Sequence, residues 1–290
     1  MQPEIFFQTL VNGLFVGGIY SLVSVGLTLI YGVMLIMNFA HGEFLMLGMY
    51  VAYAFFTLFN LDPYVSLPLS AAVVFLIGVV IQKGLIQRVL KAHPLNQIIL
   101  LLGVSTLMTG LVQFFLTAEP RHIRVPYETE VLTLMGLRLN IPRLVSFLAS
   151  MVISVSLYYF LQRTRTGKAI RAVSQNRDAA QLMGINVKYI YMLTFGLGVA
   201  VTGMAGVFLT PNYKLIPTIG QSYSVIAFVV VVLGTMGNFI GAFFGGLIIG
   251  VVEVFAGYFL GGDMKIVASM LVFILVLLFK PAGLFGRKNA

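Results

Sequence analysis

Two carboxylates stand where a carboxylate is costly. Glu43 and Glu253 each fall inside a long apolar run. An ionised group at the centre of a membrane span costs roughly 2.5–3.5 kcal/mol on insertion scales and marks either a function or a paired contact. Glu43 follows Asn38, His41 and Gly42, in a stretch that interrupts its run. A second interruption, Gly234 to Asn238, breaks a later run. Broken helices are tolerated where they line protein or water, and transporters use such breaks on the solute route. Two roles are open to Glu43: a polar lining or gate element of a route, or a structural contact to free backbone groups near the membrane surface. His41 and Glu43 are two residues apart, so a helix points them in different directions. For Glu253 the expectation is a helix–helix contact. The translocation-path candidates are therefore Asn38, His41, Gly42, Glu43 and Asn238.

Other chemistries find little support. Thr166-Gly167-Lys168-Ala169 resembles the end of a phosphate-binding loop, but Ala169 replaces the Ser or Thr that would hold Mg²⁺. The glycine that should stand five residues before Gly167 is also missing, since position 162 is Gln. Neither a Gly-x-Ser-x-Gly elbow nor a paired-carboxylate arrangement occurs, so an enzyme is not expected. Cysteine is absent and the three histidines, His41, His93 and His122, lie far apart, so no metal centre is expected. No cofactor is expected on this chain.

The elements that must carry these residues are membrane helices. Hydrophobic residues make up 59% of the 290, charged residues 9%, and the mean hydropathy is +1.00. A soluble domain carries about 25% charged residues, so most of this exterior must face lipid. The apolar runs are continuous rather than alternating, which fits helices of about 20 residues. Spans are predicted at about Phe7–Ile30, Val33–Phe59, Tyr64–Ile81, Leu95–Leu116, Leu144–Leu161 and Tyr189–Leu209. A short piece at Tyr223–Leu233 and spans at Phe239–Leu260 and Ile266–Phe279 complete the set. The fold class is an all-α integral membrane protein of about eight or nine helices, some broken or short, in one domain over residues 1–290.

Charge supplies a direction. The net charge of +9 is not gathered on a soluble face with aromatic platforms, so nucleic acid is not an expected partner. Instead Lys83, Arg88 and Lys91, the stretch 162–188 and the tail with Lys280, Arg287 and Lys288 hold twelve basic residues against one acid, Asp178. The remaining loops balance, including the segment 117–142. Positive loops stay in the cytoplasm. That predicts a cytoplasmic loop at 162–188, a periplasmic loop at 117–142, a cytoplasmic C-terminus and a periplasmic N-terminus.

Within the basic loop, Asn176 to Ile185 reads as one short helix. Asn176 caps its start, Asp178 complements the positive first turn, and Gly184 suits the left-handed position past the end. Ala179, Ala180, Leu182 and Met183 give a small apolar face. So short a helix is not stable alone in water, so it must pack on something, a partner protein being one choice. A membrane-apposed loop attracting anionic lipid is the other reading.

Asp178-Ala179-Ala180-Gln181-Leu182-Met183-Gly184 resembles the Glu-Ala-Ala, three residues, Gly signature of permease subunits in bacterial ATP-binding-cassette importers, with Asp for Glu. The wider string Arg165 to Ile185, the segment Asn38 to Phe44, and Lys280-Pro281-Ala282-Gly283-Leu284-Phe285-Gly286 are similar to the branched-chain amino acid permeases in particular. The likeness departs at one point: no proline lies between Pro142 and Pro211, where the broader signature has a Leu-Pro pair. The resemblance implies a coupling helix that docks on an ATPase, carried by Arg171, Arg177, Asp178, Ala179, Ala180, Leu182 and Gly184. It implies as partners a second related permease, two cytoplasmic ATP-binding subunits that hold ATP and Mg²⁺, a soluble solute-binding protein, and membrane lipid. It implies a bacterial inner-membrane location and a cargo of branched-chain amino acids, with urea or short amides as the alternative. A rival class, the ion-coupled carrier or channel, predicts ionisable relays within the spans, where Glu43 and Glu253 alone qualify.

Overall fold

The computed structural model describes residues 3–134 and 136–286. Arg287 and Lys288, counted above in the basic tail, lie outside them. Helix α1 (Pro3–Met34) is followed by α2 (His41–Phe59) and α3 (Leu67–Ile81). A π turn (Gln82–Ile86) carries α3 into the single turn α4 (Gln87–Val89), a continuation that the sequence reading did not foresee. Then come α5 (Pro94–Leu116), a hairpin of β1 (Val131–Leu134) and β2 (Leu137–Asn140), and α6 (Ile141–Arg163). The chain closes with α7 (Arg165–Gln175), α8 (Arg177–Leu182), α9 (Val187–Leu209), α10 (Ile219–Leu233), α11 (Phe239–Leu260) and α12 (Met264–Phe279). Among the described residues, seven helical stretches are long and apolar enough to cross a membrane, and α10 and α12 are shorter apolar helices. The chain is thus a multi-pass, all-α membrane protein. Where the sequence predicts loops, segment 117–142 holds the antiparallel hairpin and segment 162–188 holds the additional helix α7.

Helix starts follow local chemistry. Asn140, Asn176, Asn186 and Asn238 each accept a hydrogen bond from the backbone N–H three residues on. That satisfies one of the orphan donors every helix leaves at its start. Pro94 and Pro142 sit in the first turns of α5 and α6, where the missing N–H is harmless.

Two helices form the centre. The most apolar windows of α1 and α9 are 89% and 78% buried, against 28% for α6 and 33% for α5. Glycines set the closeness of the central packing. A Cβ on Gly13 would lie 2.7 Å from the Val251 Cα, and one on Gly17 2.8 Å from the Leu247 Cα. Gly246 and Gly250 of α11 receive Ser21 and Gly17 in return. The Gly13/Gly17 and Gly246/Gly250 pairs therefore serve packing within this subunit, as small residues at four-residue spacing do.

The bundle has two distinct ends. At the hairpin end, Gln8 at the start of α1 exchanges hydrogen bonds of 2.9 and 2.8 Å with the Arg138 backbone. Arg121 and Leu215 form a two-bond bridge there, and Tyr127 donates to Asp62 at 2.6 Å. Burial and then the Asp62 carboxylate hold the Tyr127 phenol above its ordinary pKa. At the basic end lie α4, α7, α8 and the C-terminal segment, whose Leu284 N–H donates to the Leu233 carbonyl at 2.8 Å.

Candidate functional site

The interrupted run around Glu43 turns back into the bundle. Helix α1 ends at Met34, and Leu35 takes a left-handed φ of 56°, a costly conformation for a γ-branched residue. Residues 35–40 then return to the level of Val23, whose carbonyl accepts from His41 Nε2–H at 3.0 Å. Val23 lies eleven residues before Met34, or about 16 Å at 1.5 Å per residue. So α2 starts deep inside the protein and runs to the hairpin end.

A second helix begins at the same depth. The Gly42 N–H donates to Ser224 Oγ at 2.8 Å, and Ser224 Oγ reaches the Phe39 carbonyl at 3.4 Å. A Cβ on Gly220 would lie 2.8 Å from the Gly42 carbonyl carbon, so the backbones of α2 and α10 touch. From this junction α10 runs to the basic end. Two helix N-termini, each carrying partial positive charge, thus meet beside the Glu43 carboxylate.

Asn38, His41 and Glu43 are fully buried here. Glu43 Oε1 accepts from Ser105 Oγ of α5 at 2.8 Å, while His41 Nε2 lies 2.8 Å from Thr202 Oγ1 of α9. The two side chains point apart, as their spacing required. Asn38 Oδ1 accepts from the Ala40 N–H at 3.2 Å. Among the described residues Asn38 Nδ2, His41 Nδ1 and Glu43 Oε2 find no partner.

The structure does not bring Asn238 to this cluster. Asn238 caps α11 at the basic end, its Oδ1 accepting from the Gly241 N–H at 3.0 Å. Leu35 and Thr235 both have positive φ, at 56° and 82°, at the ends of α1 and α10. Glu253 accepts from Tyr20 OH at 2.7 Å, a contact between α11 and α1 as expected.

At the basic end α8 is built as its sequence dictates. Asn176 Oδ1 accepts from the Ala179 N–H at 2.9 Å, and Gly184 takes a φ of 81°. The Ile185 N–H closes the end on the Ala180 carbonyl at 3.1 Å. Ala180 is the one residue of α8 that turns inward; Leu182 and Met183 are 88% and 82% exposed. Arg177 Nε and Asp178 Oδ1 pair at 3.5 Å on the surface. Tyr191 and then Asp178 hold the Arg177 guanidinium above its ordinary pKa. Arg171 stands apart on α7, where Nη2 donates to the Gln162 carbonyl at 3.3 Å.

One further face escaped the sequence reading. Asn96, Gly103, Thr106, Gly110 and Gln113 of α5 are all exposed. Nothing lies within 4 Å of a Cβ placed on Gly103 or Gly110. A cavity of about 430 Å³, walled by Leu47, Ile77, Val104 and Met108 among others, separates α5 from α2 and α3. The signal was the recurrence of small and polar residues at three- and seven-residue intervals, which keeps them on one helix face.

A membrane bundle with broken helices meeting inside it, and an exposed capped helix at its basic end, has the build of a transport permease. The chain matches, over residues 9–279, the family described as "Branched-chain amino acid transport system / permease component", and it belongs to that family. It is 33% identical to the high-affinity branched-chain amino acid transport system permease protein BraD of Pseudomonas aeruginosa, covering 99% of this chain and 98% of that one. It is 32% identical to LivH of Escherichia coli, a protein of the same description, over 97% and 96% of the two chains. The ribose import permease protein RbsC of Escherichia coli is 26% identical over 64% of this chain and 57% of its own. Among solved structures, PsaBC from Streptococcus pneumoniae in complex with Fab shares the fold, with a TM-score of 0.53 at 14% identity, covering 98% of this chain and 95% of that one.

Proposed function

We propose that this chain is one permease subunit of an ATP-driven importer for branched-chain amino acids in a bacterial inner membrane. A soluble binding protein delivers the solute, a second related permease completes the membrane unit, and two ATP-binding subunits drive it. The observation that carries this reading is α8. A capped helix presents Leu182 and Met183 to solvent beyond the spans, and apolar side chains displayed that way need a partner. The basic residues gathered with α8 support a cytoplasmic position for that end, hence a periplasmic start for α1.

The junction of α2 and α10 is proposed as the closed point of the route. The polar face of α5 is proposed as a wall of the route, set against the second permease. Gln113, Thr106 and bare glycine backbone facing hydrocarbon would be costly, and a hydrated passage between two subunits removes that cost. ATP binding moves the equilibrium only if the ATPase holds the two states of α8 with different affinity.

The test combines Arg177→Glu with Asp178→Lys in the assembled transporter. The expected result is ATP hydrolysis that no longer responds to loaded binding protein, uptake reduced at least tenfold, and normal membrane insertion. Unchanged uptake overturns the docking role of α8. Solute flux through the purified chain alone, without ATPases, overturns the importer reading in favour of a carrier.

A further inference from the structure

A second feature of the basic end is unexplained by coupling. A basin of about 620 Å³ opens between α4 and the α8–α9 connection. Arg88 and Lys91 face it from one side, Arg177 and Lys188 from the other. Asp178 is the one acid on its wall, and it is paired with Arg177. Among the described residues, no carboxylate lies within 4.0 Å of Arg88, Lys91 or Lys188. Three uncompensated cations around one hollow repel each other unless an anion sits among them.

We propose that this basin binds the phosphate headgroup of an anionic phospholipid. Its height in the molecule favours a lipid. Gln87 and Arg88 close the span Leu67–Val89, Leu90 and Lys91 follow it, and Val187 opens the span Val187–Leu209. The basin mouth therefore lies where two spans leave the hydrocarbon, which is the level of headgroups. Leu90, Ile185 and Val187 add apolar wall for the glycerol and the upper acyl chain. Tyr191 lines it too, with a ring suited to an interface that is apolar on one side and wet on the other. Basic pockets between spans on the cytoplasmic side hold anionic headgroups by the same balance of charge and depth. The exposed Leu182 and Met183 are not on this wall. Arg177, Asp178 and Gln181 of α8 do line it, so the basin adjoins the proposed docking helix and shares its first turn. A volume of this size is within the range of small-ligand sites, roughly 300–1,000 Å³.

The test uses the full chain purified in detergent, with native mass spectrometry after exchange against phosphatidylglycerol or phosphatidylcholine. The wild type should retain phosphatidylglycerol preferentially. A triple variant, Arg88→Gln, Lys91→Gln and Lys188→Gln, should lose about a hundredfold of that preference, since each surface cation contributes about fivefold. A control of equal charge change at the same end, Arg163→Gln, Arg165→Gln and Lys168→Gln, should retain the lipid and guards against a general loss of fold. Equal retention by the triple variant and the wild type overturns the proposal. Release of the lipid by millimolar inorganic phosphate also overturns it, in favour of a free-phosphate site. Binding of added ATP-binding subunits by the wild type but not by the triple variant, with lipid retention unchanged, overturns it in favour of an acidic protein segment. None of these outcomes depends on uptake, so the importer reading stands or falls separately.

Discussion

The two polar regions of this permease are built on opposite principles. Helix α8 is six residues long, lies on the surface, and takes its shape from its own caps at Asn176 and Gly184. The α2–α10 junction is fully buried and takes its shape from residues far apart in the chain: Val23, Gly42, Ser105, Thr202 and Ser224. One region touches the rest of the bundle mainly through Ala180. The other is held by every element it touches. On the proposed function, α8 is the surface lever that a partner grips and the junction is the interior joint of the route.

Substitutions should separate the two on a scale of stability. The largest effect is expected from Gly42→Ala, whose new methyl would sit on the Gly220 carbonyl and 2.7 Å from the Ser224 backbone nitrogen. Neither neighbour is a flexible side chain, so about 3 kcal/mol or more of destabilisation follows from overpacking. Thermal unfolding in detergent reads it; a variant as stable as the wild type would mean that α2 and α10 do not touch there. Next comes Glu43→Ala, which strips the acceptor from Ser105 Oγ and the carboxyl group from beside two helix N-termini. A loss of about 1–3 kcal/mol is expected, with Glu43→Gln recovering part of it. If Glu43→Gln instead keeps full stability and abolishes uptake, the carboxylate serves the route rather than the fold. The smallest effect falls on the lever. Asn176→Ala removes one cap and should cost about 1 kcal/mol locally. Hydrogen exchange at Ala179 and Ala180 should rise while the global melting temperature stays put. A fall in the global melting temperature would show α8 to be part of the core after all.

Much of α8 was legible because its signals are local. A short polar residue that bonds three positions ahead, an acid in the first turn and a glycine past the end act within one or two turns of the chain. The spans were legible for a similar reason, since lipid forces every backbone group to bond within its own helix. The break around Asn38 could be seen, but its depth could not. That depends on Val23 and Thr202 meeting His41 across 18 and 161 positions. The same limit misplaced Asn238, whose segment resembles the first break and ends as an ordinary helix cap.

Sequence by itself determined the class of protein, the approximate number of apolar helices, the charge asymmetry of the two loop sets and the shape of α8, because each depends on composition or on neighbours along the chain. Tertiary structure alone decided that α2 and α10 start face to face inside the bundle, that α5 turns Asn96, Thr106 and Gln113 outward, and that Arg88 and Lys188 border one basin. Those outcomes rest on close packing between distant segments, where a missing Cβ or one unpaired carbonyl selects among arrangements that local preferences leave equal.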